Sequence, residues 1–379
     1  MDKCVGLYIH IPFCKAKCYY CDFTSFDNQN EKMVPYVFAL CEEIKQYGEI
    51  LQDRQVDTIF IGGGTPTVLP LALLEKILKS LKENFKIESS FEFTVESNPG
   101  TLNKELLYLL KEYRVNRLSM GLQATQNKIL KSLGRIHSLE DFYNNYHLAR
   151  QMGYQNINVD LIFSLPDQTK KEWADTLKYI IKSEPEHISC YSLIIEENSY
   201  FGRLKKEGKL KEASDELDRE LYHYARKILT ENKYHHYEIS NFSKKGFESR
   251  HNMNCWKYKP YVGMGLGAHS FINGQRYHNS YNLDKYIQSQ GKIESIKEEI
   301  ESIPLTMQYG EYIFLGLRLT EGISIKDFES QFNISFHALF GEKVKKLIEE
   351  GLLIKKQDRI QLSLKGLDLA NIVFAEFLP

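Results

Sequence analysis

The sequence predicts an α/β protein: a complete or partial (β/α) barrel of parallel strands, followed by a small winged-helix-like α+β domain. Three observations carry this expectation. Short β-type runs and longer helical runs alternate at least six times, at spacings that suit right-handed crossovers in a parallel sheet. Polar and glycine residues fall at the ends of most of those runs, and a barrel brings all such ends to one face, which favours it over a doubly wound open sheet. From Leu305 onward, helical patterns give way to a glycine and two short strands, the order of a winged helix.

The first strand is residues 5 to 11 (VGLYIHI), where Val5, Leu7, Ile9 and Ile11 alternate with Tyr8 and His10. Further strands are expected at 57–62, 91–97, 117–122, 156–163 and 187–194. Helical patterns separate them, such as PLALLEKILKSLKENF from Pro70 and the face of Leu106, Leu109 and Leu110. Residues 217–233 read as a long helix and 235–242 as one more strand. Residues 243–271 have the glycine and aromatic content of a functional loop. The barrel is therefore placed at 1–300 and the winged-helix-like domain at 301–379. From Leu305 that domain carries nine Lys and Arg against ten Asp and Glu, which speaks against a DNA-binding face and for packing or a partner.

Composition bounds the function. Apolar residues make up 42% of the 379 positions and charged ones 26%, the range of a globular protein with a sizeable core. The 49 Lys and Arg nearly balance the 50 Asp and Glu, so no overall field draws the chain to nucleic acid or anionic lipid. His10 interrupts the first apolar stretch without a cleavage site following, and no run of about 18 apolar residues exists. A soluble, cytoplasmic protein is expected, with peripheral contact at a membrane left open. Seven cysteines are present; Cys14, Cys18 and Cys21 crowd together while Cys4, Cys41, Cys190 and Cys255 are scattered. In a reducing compartment this argues for metal ligation over a disulfide framework.

Cys14-Lys-Ala-Lys-Cys18-Tyr-Tyr-Cys21 follows the first strand directly, and three thiolates in so short a loop can converge on one point. Soft sulfur selects zinc or an iron-sulfur cluster. Structural zinc wants four protein ligands, with Cys4 or His10 as a distant fourth, whereas three thiolates on a four-iron cluster leave one iron open.

CxxxCxxC after a strand resembles the radical S-adenosylmethionine (SAM) signature, and YIHIPFCKAKCYYCDF resembles its oxygen-independent coproporphyrinogen III oxidase family. The likeness continues through IGGGTPT (61–67), VESNPG (95–100), GLQ (121–123), LGRIH (133–137) and DLIFSLP (160–166) and covers essentially the whole chain. It implies a [4Fe-4S] cluster on Cys14, Cys18 and Cys21, with SAM chelating the open iron and cleaved by an electron from the cluster to give a deoxyadenosyl radical. It places Tyr8, Gly63 and Glu96 against this SAM. Tyr20, Gly64, Thr65, Gln123, Arg135 and Asp160 face a second SAM molecule seen in the oxidase relatives. Arg135 suits a carboxylate, which its guanidinium pairs in a bidentate way, and Asp160, inside an apolar run, suits hydroxyl recognition. His10 fits a hydrogen-bonded histidine in the barrel mouth as well as a catalytic one.

The resemblance divides between true oxidases, which decarboxylate coproporphyrinogen III, and a HemW-type branch regarded as haem chaperones. The oxidase pattern has a fourth cysteine two positions after the third, where this chain has Asp22 and Phe23. It also has an extension ahead of the first strand that lids the substrate, where this chain has Met1 to Cys4, so no lid is expected. Residues 250–256, RHNMNCW, resemble the branch's haem-associated HNxxYW motif, with Cys255 in the tyrosine position. The expectation is a chaperone that binds haem and passes it to an acceptor protein, a membrane-bound respiratory one among the candidates, with an electron donor and a second copy of the chain as further partners. The alternative is the oxidase. His251 is the expected haem ligand, with Cys255 and His269 as competitors. A cysteine-zinc regulator using the winged helix is the contrasting class.

Overall fold

The computed structural model describes residues 3–378, so Met1 and Asp2 of the expected lid-free start lie outside the described residues. Six parallel strands run in sequence order: β1 (Cys4–Ile11), β2 (Gln55–Gly63), β3 (Ile87–Ser97), β4 (Arg117–Gln123), β5 (Ile157–Phe163) and β6 (His187–Ser192). Strand order 1 to 6 without reversal is barrel order; a doubly wound sheet would reverse at a switch point. The barrel is partial, because β1 and β6 do not pair.

The crossovers are helical: α1 (Met33–Ile50), α2 (Leu71–Asn84), α3 (Lys104–Glu112), α4 (Asn127–Ser132) with α5 (Leu139–Gln151), and α6 (Lys170–Ser183). The two-residue period of β1 explains the layering. Val5, Leu7, Ile9 and Ile11 are buried in the large apolar core shared with the helices, while Tyr8 and His10 bond to each other at 3.0 Å on the inner face.

After β6 come α7 (Tyr200–Lys206) and α8 (Asp215–Glu231), then the antiparallel pair β7 (His235–Glu238) and β8 (Asn241–Ser243). The single strand expected over 235–242 is therefore a tight hairpin at Ile239 and Ser240, a turn without glycine or asparagine to announce it. The expected functional loop is also more regular than its composition suggests. It contains the short helix α9 (Arg250–Trp256), then β9 (Tyr261–Met264), parallel to β1, and β10 (His269–Ile272). With β11 (Gln275–Asn279) and β12 (Lys297–Ser302), these extend the sheet to twelve strands.

Beyond residue 303, helices Leu305–Gly316, Ile325–Phe332 and Phe336–Glu349 pack on a three-stranded sheet of β13 (Ile323–Ser324), β15 (Arg359–Leu362) and β14 (Leu353–Lys356). Phe328, Phe336 and Phe340 anchor an apolar core of its own there. The backbone joins this part to the barrel through Ile239 N–H to Arg318 O (3.1 Å) and Thr320 N–H to Tyr237 O (3.0 Å). Arg318 lies 4.4 Å over the ring of Trp256. Among the described residues no helix is long and apolar enough to cross a membrane.

Candidate active site at the barrel mouth

The loop after β1 is fixed at its base, where Cys14 N–H donates to Phe26 O (2.9 Å) and Phe26 N–H to Pro12 O (2.8 Å). The loop after β2 is joined to it by Gly64 N–H to Ile11 O and Thr65 N–H to Phe13 O, both 2.8 Å. Glycine is needed at this junction. Gly63 has φ of +108°, and a Cβ there would lie 2.5 Å from His10 Cε1; one on Gly64 would lie 2.7 Å from Phe13 O and 3.0 Å from Cys14 Sγ. The backbone thereby reaches the cysteines unshielded.

Cys14, Cys18 and Cys21 line one cavity of about 330 Å³ together with Tyr20, Gly63, Gly64, Thr65, Glu96, Gln123, Arg135 and Asp160. Eleven of the thirteen residues singled out from sequence thus meet at the C-terminal ends of the strands. The three thiols face the same cavity, and among the described residues no three His, Cys, Asp or Glu side chains form a single-ion site. Thiols that share a wall suit a larger, multi-iron cluster better than one zinc ion. Burial holds the Cys14 and Cys21 thiols above their ordinary value, so metal binding must drive their deprotonation.

Arg135 crosses the cavity wall. Its Nη1 donates to Cys18 Sγ (3.3 Å), and its Nη2 to Asn98 Oδ1 and Gly121 O, both 2.6 Å. Asn98 in turn donates to Thr65 Oγ1 at 2.7 Å. Opposite, Ser119 and Asn158 donate to the two oxygens of Asp160 at 2.9 and 2.8 Å and hold that carboxylate facing the cavity. Glu96 accepts from Gly63 N–H at 3.2 Å. Its burial, then the nearby Asp160 charge, pushes its carboxyl up to about 8. Two buried atoms of the wall, Arg135 Nε and Gln123 Oε1, have no hydrogen-bond partner. Orphans of this kind are costly unless a ligand pairs them. Soft thiols, a Cβ-free backbone cradle and unpaired polar atoms fit a sulfur-ligated cluster with a zwitterionic ligand beside it. Asn98, Ser119 and Tyr191 also line the cavity and were missed. Asn98 stood inside a quoted motif as a turn residue, and Ser119 was legible as the inward-facing alternate of β4.

Two expected residues lie elsewhere. Tyr8 sits deeper on the inner face, bonded to His10, whose Nε2 meets Thr24 O at 2.7 Å; burial pushes His10 down to about 4. His251 lies near the other end of the barrel, where α9 closes the floor. Glu92 accepts from both Arg250 N–H and His251 N–H at 3.0 Å. The His251 ring is 3.0 Å from Thr58 Oγ1, packs on Phe60, and is 7% exposed. The expectation that His251 offers its imidazole to haem is therefore not met by its placement, because the ring is enclosed by β2 and α9. Cys255 is no better placed, its thiol being pushed up to about 12 by burial.

The floor is tied to the mouth by a chain of hydrogen bonds. Ser249 N–H donates to Tyr237 Oη (3.2 Å), Tyr237 Oη meets His187 Nε2 (2.7 Å), His187 Nδ1 meets Asn158 Oδ1 (2.6 Å), and Asn158 Nδ2 donates to Asp160. Burial holds His187 well below its ordinary value, so it is neutral, with one donating and one accepting nitrogen. Every link then has one donor and one acceptor.

Comparison with known proteins agrees with this geometry. Residues 8–180 match the Radical SAM superfamily and residues 303–369 the HemN C-terminal domain. "Heme chaperone HemW" of Lactococcus lactis subsp. lactis (strain IL1403) is 37% identical over 378 residues, covering 100% of this chain and 98% of that protein. The protein of the same name from Bacillus subtilis (strain 168) is 38% identical, covering 98% of each. Among solved structures, the coproporphyrinogen III oxidase (HemN) from Escherichia coli, described as a radical SAM enzyme, superposes with a TM-score of 0.87 at 25% identity. The match covers 99% of this chain and 90% of that one.

Proposed function

Because the chain belongs to the radical SAM superfamily and, within it, to the HemW family, we propose that it is a haem chaperone, which binds haem and delivers it to acceptor proteins. The observation that carries this is likeness along nearly the whole length to relatives named heme chaperones. Membership of the superfamily implies SAM and a [4Fe-4S] cluster. When bound, they supply one-electron chemistry; the protein supplies placement and charge.

In this reading Cys14, Cys18 and Cys21 hold the cluster. Gly63 and Gly64 present backbone to the SAM amino acid portion, and Glu96 accepts from its ammonium or ribose. Arg135, Gln123, Tyr20, Thr65 and Asp160 take the second polar group that enters the cavity. Asp160 is preoriented by Ser119 and Asn158, so little ordering is needed on binding. Tyr8 acts from beneath, through His10. The division into a barrel of 1–300 and a domain of 301–379 is supported by the separate core beyond residue 303. The acceptor is a haem protein, a membrane-bound respiratory one being the favoured case, met at the cytoplasmic face. Cluster reduction needs a protein electron donor, and a homodimer is the proposed assembly.

Coproporphyrinogen oxidation is the second reading, favoured by the close superposition on the oxidase. Haemin titration of the anaerobically reconstituted protein, followed by mixing with a haem-free acceptor, separates the two. Saturable binding near one haem per chain with transfer supports the chaperone. No saturable binding, together with decarboxylation of coproporphyrinogen III, overturns it.

A further inference from the structure

Beside the cysteine loop, outside the cavity, three rings stand together on the antiparallel extension of the sheet. His269 and His278 are cross-strand partners on β10 and β11, with ring centroids 5.1 Å apart, and Tyr281 lies 4.7 Å from His278. His278 is buried, its Nδ1 meeting Asn279 O at 2.9 Å, whereas His269 and Tyr281 are exposed.

The His269 ring is held by one bond, Nε2 to Tyr281 Oη at 2.8 Å. With Nε2–H as the donor, the lone pair lies on Nδ1, which has no partner among the described residues. An imidazole whose remote N–H is fixed by an oxygen is the arrangement that metal-bound histidines adopt. Partial burial, then the His278 and Arg276 charges, lowers the His269 pKa, which favours the neutral, ligating form.

The cluster adjoins the mouth. A Cβ placed on Gly267 would lie 2.8 Å from Tyr281 Cδ1 and 3.2 Å from Thr24 Oγ1, so Tyr281 and Thr24 face each other across that glycine. Phe23, the neighbour of Thr24, lines the cavity and is nonetheless 69% exposed. The exposed imidazole thus stands at the rim of the mouth, bonded to Tyr281, which in turn faces the Phe23–Thr24 segment of the cysteine loop.

We propose that His269 ligates haem iron through Nδ1, with Tyr281 holding the remote Nε2 and the porphyrin on the opposite, exposed side of the ring. This rests on the haem-chaperone reading and goes beyond it by naming the ligand and its place outside the SAM cavity. The rim position would let haem and the SAM site be filled together.

The test is haemin titration of the full, reconstituted chain, read at the Soret band, with iron content and far-UV circular dichroism confirming each fold. His269→Ala is expected to weaken binding by at least about 100-fold and to shift the Soret maximum, and Tyr281→Phe to weaken it by about 10-fold, the loss of an outer-shell partner. His251→Ala should leave the folded protein within about threefold of the parent, far from a ligand's share. If the parent binds haem and His269→Ala binds it equally well, the inference fails alone. The same holds if only His251→Ala loses binding with its fold intact. If the parent itself shows no saturable binding, the chaperone reading fails and takes this inference with it.

Discussion

The two ends of the barrel are built from similar residue types and differ in whether their polar groups are packed against one another or surround a cavity. At the floor, Glu92, Thr58, His251, Tyr237, His187 and Asn158 bond to one another or to α9 and its N-cap, enclosed among packed side chains, although Arg117 Nε, Thr94 Oγ1, Asp57 Oδ1 and Trp256 Nε1 are left without partners. At the mouth, Arg135, Gln123, Glu96 and three free thiols surround a cavity, with two buried atoms unpaired and one carboxyl pushed up to about 8. Polar groups enclosed among packed side chains stabilise and specify a fold; polar groups gathered round a cavity await a ligand. A histidine at the floor and an arginine at the mouth should accordingly fail in different assays.

The largest effect is expected at the mouth. Replacing Cys14, Cys18 or Cys21 by serine should remove essentially all of the roughly four irons that a four-iron cluster contributes per chain, with little change in helical content. Iron and sulfide analysis checks this, and one zinc without sulfide in the parent would contradict it.

At the floor, His251→Ala opens a cavity beneath Phe60 and leaves Thr58 Oγ1 without its partner. A loss of about 2–4 kcal/mol is expected in denaturant unfolding. Arg135→Ala should weaken SAM binding about 10- to 100-fold in equilibrium dialysis, the worth of charge-assisted bonds, while costing less stability than the floor variant.

The smallest effect is one of pH. Glu96 holds its proton up to about 8 in the folded chain, whereas an unfolded glutamate releases it near its ordinary value of 4.5. Folded-state stability therefore falls as pH rises from 4.5 toward 8, since the native chain binds the extra proton. If the carboxylate is the form that receives SAM, affinity climbs with pH toward 8 by at most about tenfold per unit. Glu96→Gln should flatten the part of that slope due to this residue, read by calorimetry in buffers of different ionisation enthalpy.

How much of this was legible in the sequence differs between the same two ends. The mouth is encoded locally: its residues stand at the C-terminal ends of strands or, like Cys18, Cys21 and Arg135, in the loop segments that follow them, so a short motif carries both identity and place. β1 through β6 were legible for the same reason, through alternation and helical spacing. The floor is assembled from afar. Asn252 and Asn254 are weak helix formers, and RHNMNCW reads as loop until Ser249 at its N-cap and Glu92, distant in sequence, take up its amide groups. At His251 a motif marks the position but says nothing of its burial. Strands β9 and β12 were hidden likewise, being short and paired with residues that local pattern does not reveal, whereas β10 and β11 meet at Asn273-Gly274, a local hairpin signal.

The most direct test of the contrast is to measure SAM binding and thermal unfolding on the same two reconstituted variants, His251→Ala and Arg135→Ala. The expected result is crossed: the floor variant melts several degrees lower yet binds SAM like the parent, and the mouth variant melts near the parent yet loses SAM. A floor variant that keeps its melting temperature while losing SAM or haem would contradict it, and would make His251 a functional ligand.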